Sequence, residues 1–220
     1  FPEDTLGTLE WESGHWDVAG DLLLPAEEEM LSRLGDVAAR REMAIVCCND
    51  CADGADIYNT AILIGKDGRE AGRYLKVQLP IGEQARARGN SFPVFEVDGI
   101  GSVGMCICYD MVFPETTRAL ALGGADIVFH LTMGGASMAK GDASLAAFRT
   151  RAADNFLYLV VAFRGGGSLI IDPQGEVIAD GKLDLKARNK ILVRMTKDVA
   201  KHVLMDNYRQ SMALTNAQHQ

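Results

Sequence analysis

The chain has no long apolar run. Its longest, "LYLVVAF" from Leu157 to Phe163, falls far short of the roughly 18 residues that cross a bilayer, and no basic-then-apolar leader opens the sequence. Positive charge is scarce: 22 Lys and Arg stand against 30 Asp and Glu, a net charge of −8. Nucleic acid and anionic membranes both demand basic surface, so neither is expected as a partner, and a small molecule fits better. Cysteine is sparse too. Five residues, unevenly spaced, make no disulfide framework, so reduced thiols in a soluble, cytoplasmic protein are the expectation. Repeats with a period of roughly 20 to 50 residues, low-complexity segments and linkers are absent, which leaves one domain over residues 1–220.

What is present has the balance of an ordinary globular protein, 48% hydrophobic and 24% charged. From Pro25 to Glu42 the apolar residues Met30, Leu31, Leu34, Val37 and Ala38 recur at helical spacing, behind a Pro suited to a first turn and the acidic Glu27, Glu28 and Glu29. Short apolar runs then predict strands over Met43–Cys48, Thr60–Ile64, Arg69–Leu75, Phe92–Val97 and Ser102–Cys108, with "KDG" at Lys66–Gly68 as a hairpin turn. A helix is predicted from Pro114 to Gly123-Gly124, a strand over Asp126–Leu131 and a helix over Ala143–Asn155. Strands over Leu157–Phe163, Gly167–Ile171, Val177–Ala179 and Ile191–Met195 follow, then a helix from Asp198. Apolar strands interleaved with helices imply an α/β or α+β class, sheets covered by helices.

Two cysteines stand two places apart in "GMCICYD", Gly104 to Asp110. Alternation sends Cys106 and Cys108 to the same face of a strand. Position separates them, because Cys106 falls inside the strand and Cys108 at its carboxyl end, where α/β sheets place ligands. A free thiol near neutral pH is mostly protonated, so a working cysteine needs a base or cation beside it. His130, at the end of its own strand, is one candidate helper. Lys76 in the apolar "YLKVQL" and Glu3 in "FPE" are others: a lysine in such a strand needs a partner for its charge unless it reaches water from an edge. Cys48 and Cys51 have the spacing of half a zinc site, but no second pair completes it, and no metal is expected. The run Gly165-Gly166-Gly167 lacks the Lys-Ser/Thr of a phosphate loop.

Taken in order, "FPE" with Glu3, "YLKVQL" with Lys76 and "GMCICYDMVFPE" with Cys108 resemble the Glu, Lys and Cys motifs of the nitrilase superfamily, the carbon–nitrogen hydrolases. The likeness continues through "RTRAADN" (149–155) and "GGGSLIIDPQGEVIADG" (165–181). It implies a four-layer αββα sandwich and hydrolysis of an amide or N-carbamoyl group of a small molecule, without metal or cofactor. Cys108 is then the nucleophile, Glu3 a general base whose burial raises its pKa, and Lys76 the stabiliser of the oxyanion together with the Tyr109 N–H. Glu83 is the match for a second glutamate that holds the lysine and contacts substrate. His130, Thr132 and Met133 fall where the acyl pocket is lined, while Glu115 is architectural. The resemblance also implies a homodimer or larger assembly through the outer helices.

In the family the glutamate motif follows a first strand and helix, so the reading here is of an N-terminally truncated member. Two rival readings stand beside it. One is a Cys108–His130 thiol hydrolase or transferase, the other a catalytically silent scaffold on the same sheets.

Overall fold

The computed structural model describes residues 1–5, 16–133, 142–164 and 168–180. Its two sheets follow from two kinds of connection. Tight turns join β1 (Ile45–Asp53), β2 (Asp56–Ile64) and β3 (Glu70–Leu75) into an antiparallel sheet of order β1-β2-β3. Helical crossovers instead make the centre of the second sheet parallel. That sheet orders β4 (Val94–Val97), β5 (Gly101–Ile107), β6 (Ile127–Thr132), β7 (Tyr158–Phe163), β8 (Leu169–Ile171) and β9 (Val177–Asp180). Its β5, β6 and β7 run parallel, with α2 (Pro114–Leu122) joining the first two and α3 (Asp142–Asn155) lying between β6 and β7.

Three apolar interfaces stack these elements into four layers. Helix α1 (Trp16–Arg41) lays Met30 and Ala38 on Ile45, Cys47, Cys51, Ile62 and Ile64 of the first sheet. The other face of that sheet, with Cys48, Ala61, Leu63 and Tyr74, meets Val103, Met105, Ile107 and Leu131 of the second. The far face of the second sheet buries Cys106, Val128, Leu159 and Val161 beneath Leu120, Phe148 and Ala152 of α2 and α3. This is the αββα order expected, with strand alternation deciding which apolar side chain enters which interface.

The first sheet departs from its sequence-based outline. Strand β1 continues past Cys48 through Cys51, which the sequence places in a loop, and β2 starts at Asp56 rather than Thr60. The two meet at a two-residue turn, Gly54-Ala55, with Gly54 at φ +61° as such hairpins require. Cys48 and Cys51 therefore face opposite sides of one strand and share no ligand site. Helix α1 begins at Trp16, leaving Pro25 inside it. The missing N–H forfeits one ladder bond, and packing of the buried Leu23 on Ile57 offsets that loss. Glu27 thus lies mid-helix, where it binds Arg73 of β3 at 2.8 Å instead of complementing a helix start. The predicted strand Ile191–Met195, the helix from Asp198 and the Gly165-Gly166-Gly167 run lie outside the described residues.

Lys76 comes one residue after β3, its backbone fixed by Lys76 N–H to the Asn59 carbonyl (2.9 Å) and by Gly89 N–H to its own carbonyl (2.9 Å). A Cβ on Gly89 would lie 2.1 Å from the Leu75 carbonyl oxygen, which is backbone and cannot swing aside. Gly89→Ala is therefore expected to push the Lys76 segment out of place and to lower stability by about 2 kcal/mol in urea unfolding. An unchanged midpoint would show that the Leu75–Lys76 and Gly89 segments are not held this closely.

Candidate active site

The nucleophile candidate sits on a bend. Strand β5 ends at Ile107, and Cys108 opens a short 3-10 turn, Cys108–Val112, at φ +43°, a left-handed conformation that side chains bearing a Cβ rarely adopt. This overturns the expectation that Cys106 and Cys108 share a face. Alternation ends with the strand, so Cys106 stays with the helix-side core while Cys108 turns into the space between the sheets.

Asp110 holds the bend. Its fully buried carboxylate accepts hydrogen bonds from Ile107 N–H (2.9 Å), Tyr74 Oη (2.7 Å) and Gln78 N–H (2.8 Å). The last two flank Lys76, so one carboxylate ties the cysteine turn to the lysine segment. Burial pushes the Asp110 carboxyl up to about 6 despite these donors.

Lys76 is wholly buried, 0% exposed. Its Nζ lies 3.0 Å from Glu3 Oε1 and 3.0 and 2.8 Å from the two Glu83 oxygens. Burial disfavours the charge, but Glu3, Glu83 and the Cys108 sulfur together raise the lysine above its ordinary 10.5. Glu83 in turn faces Arg86 at 3.9 Å, and Arg86 grips Asp50 through two 2.7 Å bonds.

Glu3 is 3% exposed and receives three donors. Oε1 accepts from Lys76 Nζ and from Asn59 Nδ2 (2.8 Å), and Oε2 from the Met133 N–H (3.1 Å). The Cys108 thiol faces the same carboxylate, and the Thr132 side chain faces the sulfur. Burial alone would raise the Glu3 carboxyl, as the sequence suggests. Lys76 and the donors outweigh it, and the net direction is downward from 4.5. Burial and Glu3 push the Cys108 thiol up to about 11, against the pull of Lys76. At neutral pH the resting pair is a thiol and a carboxylate.

Six of the residues singled out in the sequence therefore meet: Glu3, Lys76, Glu83, Cys108, Thr132 and the Met133 backbone. Tyr109 lies on the same turn, half exposed and edge-on to Phe113 at 5.4 Å. His130 is turned elsewhere. Its ring is 1% exposed, 3.6 Å from Cys106 Sγ and stacked at a tilt on Phe148 (5.5 Å), and burial lowers it to about 4, so it is neutral. That arrangement gives no geometric support to a Cys108–His130 pair, or to His130 as a pocket-lining residue. Asn59, Tyr74 and Arg86 escaped the sequence reading, although a lone Asn inside the apolar "IYNTAILI" was a signal, since a buried amide needs partners. Among the described residues no group of three or more His, Cys, Asp or Glu side chains could hold a metal ion, and no helix is long and apolar enough to cross a membrane.

Comparison with known proteins places this geometry. The carbon–nitrogen hydrolase family profile matches residues 10–195. A nitrilase of Pyrococcus abyssi is 35% identical over 164 residues, which cover 70% of this chain and 60% of the relative. A deaminated glutathione amidase of Synechocystis is 35% identical over 144 residues, 56% of this chain and 53% of the relative. The chain thus spans between half and two thirds of the length of these curated relatives. Among solved structures, a variant amidase of Nesterenkonia sp. AN1, with acrylamide joined by Michael addition to its active-site cysteine, superposes with a TM-score of 0.67. It is 26% identical and covers 81% of this chain and 73% of that one.

Glu3 also sets a pH dependence of stability. Its folded pKa lies below the ordinary 4.5, so the stability it contributes is fully present above 4.5 and is lost as pH falls through the folded value. Asp4 and Asp110, both pushed up to about 6 chiefly by burial, act oppositely, costing stability as pH rises from 3.8 to about 6. Glu3→Gln is expected to lower the unfolding free energy by about 2 kcal/mol at neutral pH. Urea titrations of both proteins should show that gap closing below pH 4.5, whereas a gap persisting undiminished into stronger acid would contradict the assignment.

Proposed function

The chain belongs to the carbon–nitrogen hydrolase family of the nitrilase superfamily, and from that premise we propose that it hydrolyses an amide or N-carbamoyl group of a small molecule through a thioester on Cys108. One observation carries the reading: a thiol, a carboxylate and an ammonium from three distant segments converge, with Lys76 Nζ bonded to Glu3 and both groups facing the Cys108 thiol.

The steps follow from the resting protonation. With the thiol near 11 and Glu3 below 4.5, free thiolate does not accumulate, so the proton moves to Glu3 as sulfur bonds to the carbonyl carbon. The electron pair displaced onto the carbonyl oxygen meets the Lys76 ammonium and the Tyr109 backbone N–H. Donors placed in this way contribute about 3 kcal/mol of transition-state stabilisation. The oxyanion collapses, the C–N bond breaks, and the amine leaves with the proton held on Glu3. Water then gives a proton to Glu3 and its oxygen to the thioester, releasing the acid and restoring the thiol.

Glu83 holds Lys76 together with Glu3 and, partly exposed, is the side chain we assign to a polar substrate group. Thr132 faces the sulfur, Met133 fixes Glu3 through its N–H, and the exposed Met133 side chain is assigned to the acyl side. Pairing with a second copy through the outer helices belongs to the same reading.

Mass spectrometry of the intact protein after brief exposure to a panel of amides and N-carbamoyl compounds tests it. We expect one acyl or carbamoyl mass increment on Cys108 and none in Cys108→Ala, with turnover in Lys76→Ala reduced at least about a hundredfold. Turnover surviving Cys108→Ala, or abolished by His130→Ala while Lys76→Ala stays active, would overturn it.

A further inference from the structure

Cys48 lies in the first sheet, away from the reacting thiol, yet its backbone is bonded to the Glu3 segment. Its carbonyl accepts from Thr5 N–H (2.7 Å) and its N–H donates to Thr5 Oγ1 (3.1 Å). The Asp4 N–H faces its sulfur. Its thiol donates to Asn59 Oδ1 (3.1 Å), and Asn59 Nδ2 donates to Glu3 Oε1 (2.8 Å). The bonds run in a chain from the thiol through the Asn59 amide to the Glu3 carboxylate.

We propose that Cys48 is a positioning residue for Glu3, its thiol holding the Asn59 side chain with the amide N–H toward the carboxylate throughout the proton cycle. The inference rests on the reading of Glu3 as the general base. An amide offers a donor on one end and an acceptor on the other. When Glu3 takes a proton, its hydroxyl needs an acceptor, and Asn59 could supply one by turning over. A thiol beside Oδ1 opposes that turn, because it is a donor and only a weak acceptor. Burial raises the Cys48 thiol well above 9.0, so its proton stays in place over the working range. Asn59 therefore favours the ionised base over its acid form, which keeps Glu3 ready to accept the proton of Cys108.

The titratable groups facing Glu3 are Asp4 beside it in the chain, Cys48 on β1, Lys76 after β3, Cys108 after β5 and His130 on β6. None but Cys48 reaches Glu3 through Asn59.

The test follows the Glu3 carboxyl carbon by 13C NMR against pH, with the resonance assigned from Glu3→Gln. Cys48→Val fills the space without a donor and is expected to raise the Glu3 midpoint by about half a pH unit or more. Cys48→Ser keeps both the donor and the acceptor and is expected to return it to the wild-type value. The acid limb of amide turnover should move in step, with kcat lowered and KM little changed. A wild-type midpoint in Cys48→Val, or a midpoint in Cys48→Ser raised as far as in Cys48→Val, would overturn the proposal even where melting temperatures fall. Because the NMR reads Glu3 directly, a shifted midpoint in a protein whose Cys108 takes no acyl group would count against the proposed reaction and leave the positioning intact.

Discussion

The structure depends on a single buried ammonium. Lys76 carries its charge out of water, which on its own would cost several kcal/mol, and three carboxylate oxygens at 2.8 to 3.0 Å make the burial tolerable. Those oxygens come from residue 3 and residue 83, so the charge gathers the segment before α1, the end of β3 and the loop beyond it. The same ammonium lowers the Glu3 carboxyl below its ordinary range and pulls against the burial that raises the Cys108 thiol. Placement and chemistry thus have one source. Removing the lysine would leave the Glu3 carboxylate without its ammonium partner and Glu83 facing Arg86 at 3.9 Å.

Asp110 does for the backbone what Lys76 does for the charges. Its bonds to Ile107, Tyr74 and Gln78 span the two sheets and hold the left-handed Cys108 that aims the sulfur between them. A non-glycine residue in that conformation costs about 1 to 2 kcal/mol, which persists only where the surroundings determine it. Around Glu3 the bonds from Cys48 through Asn59 complete the support, so each of the three converging groups is fixed by buried hydrogen bonds rather than by loops alone.

Much of this was legible in the residues. The largely apolar runs around Cys106, Val128 and Leu159 mark strands, and β5, β6 and β7 lie within one residue of their expected bounds. The order of "FPE", "YLKVQL" and "GMCICYD" likewise pointed to Glu3, Lys76 and Cys108, which do meet. The β1–β2 hairpin was not legible. Asn49, Asp50 and Asn59 fall outside the predicted strands, yet all three are buried in strands. Asn59 and Asp50 find their partners in Glu3 and Arg86, far away in the chain. Periodicity sees apolar burial only, so it fails where polar side chains are buried to serve a site. The opposite directions of Cys106 and Cys108 were hidden for another reason: alternation holds within a strand, and a positive φ at the strand's end reverses it.

The protonation state of Lys76 is the most direct test of this account. In a 15N NMR titration of its side-chain nitrogen, assigned from Lys76→Met, the ammonium should keep its proton well past pH 10.5, the ordinary lysine value, because Glu3 and Glu83 hold it. Loss of the proton at or below that value would mean that the two carboxylates do not grip the lysine, and the convergence described here would be contradicted.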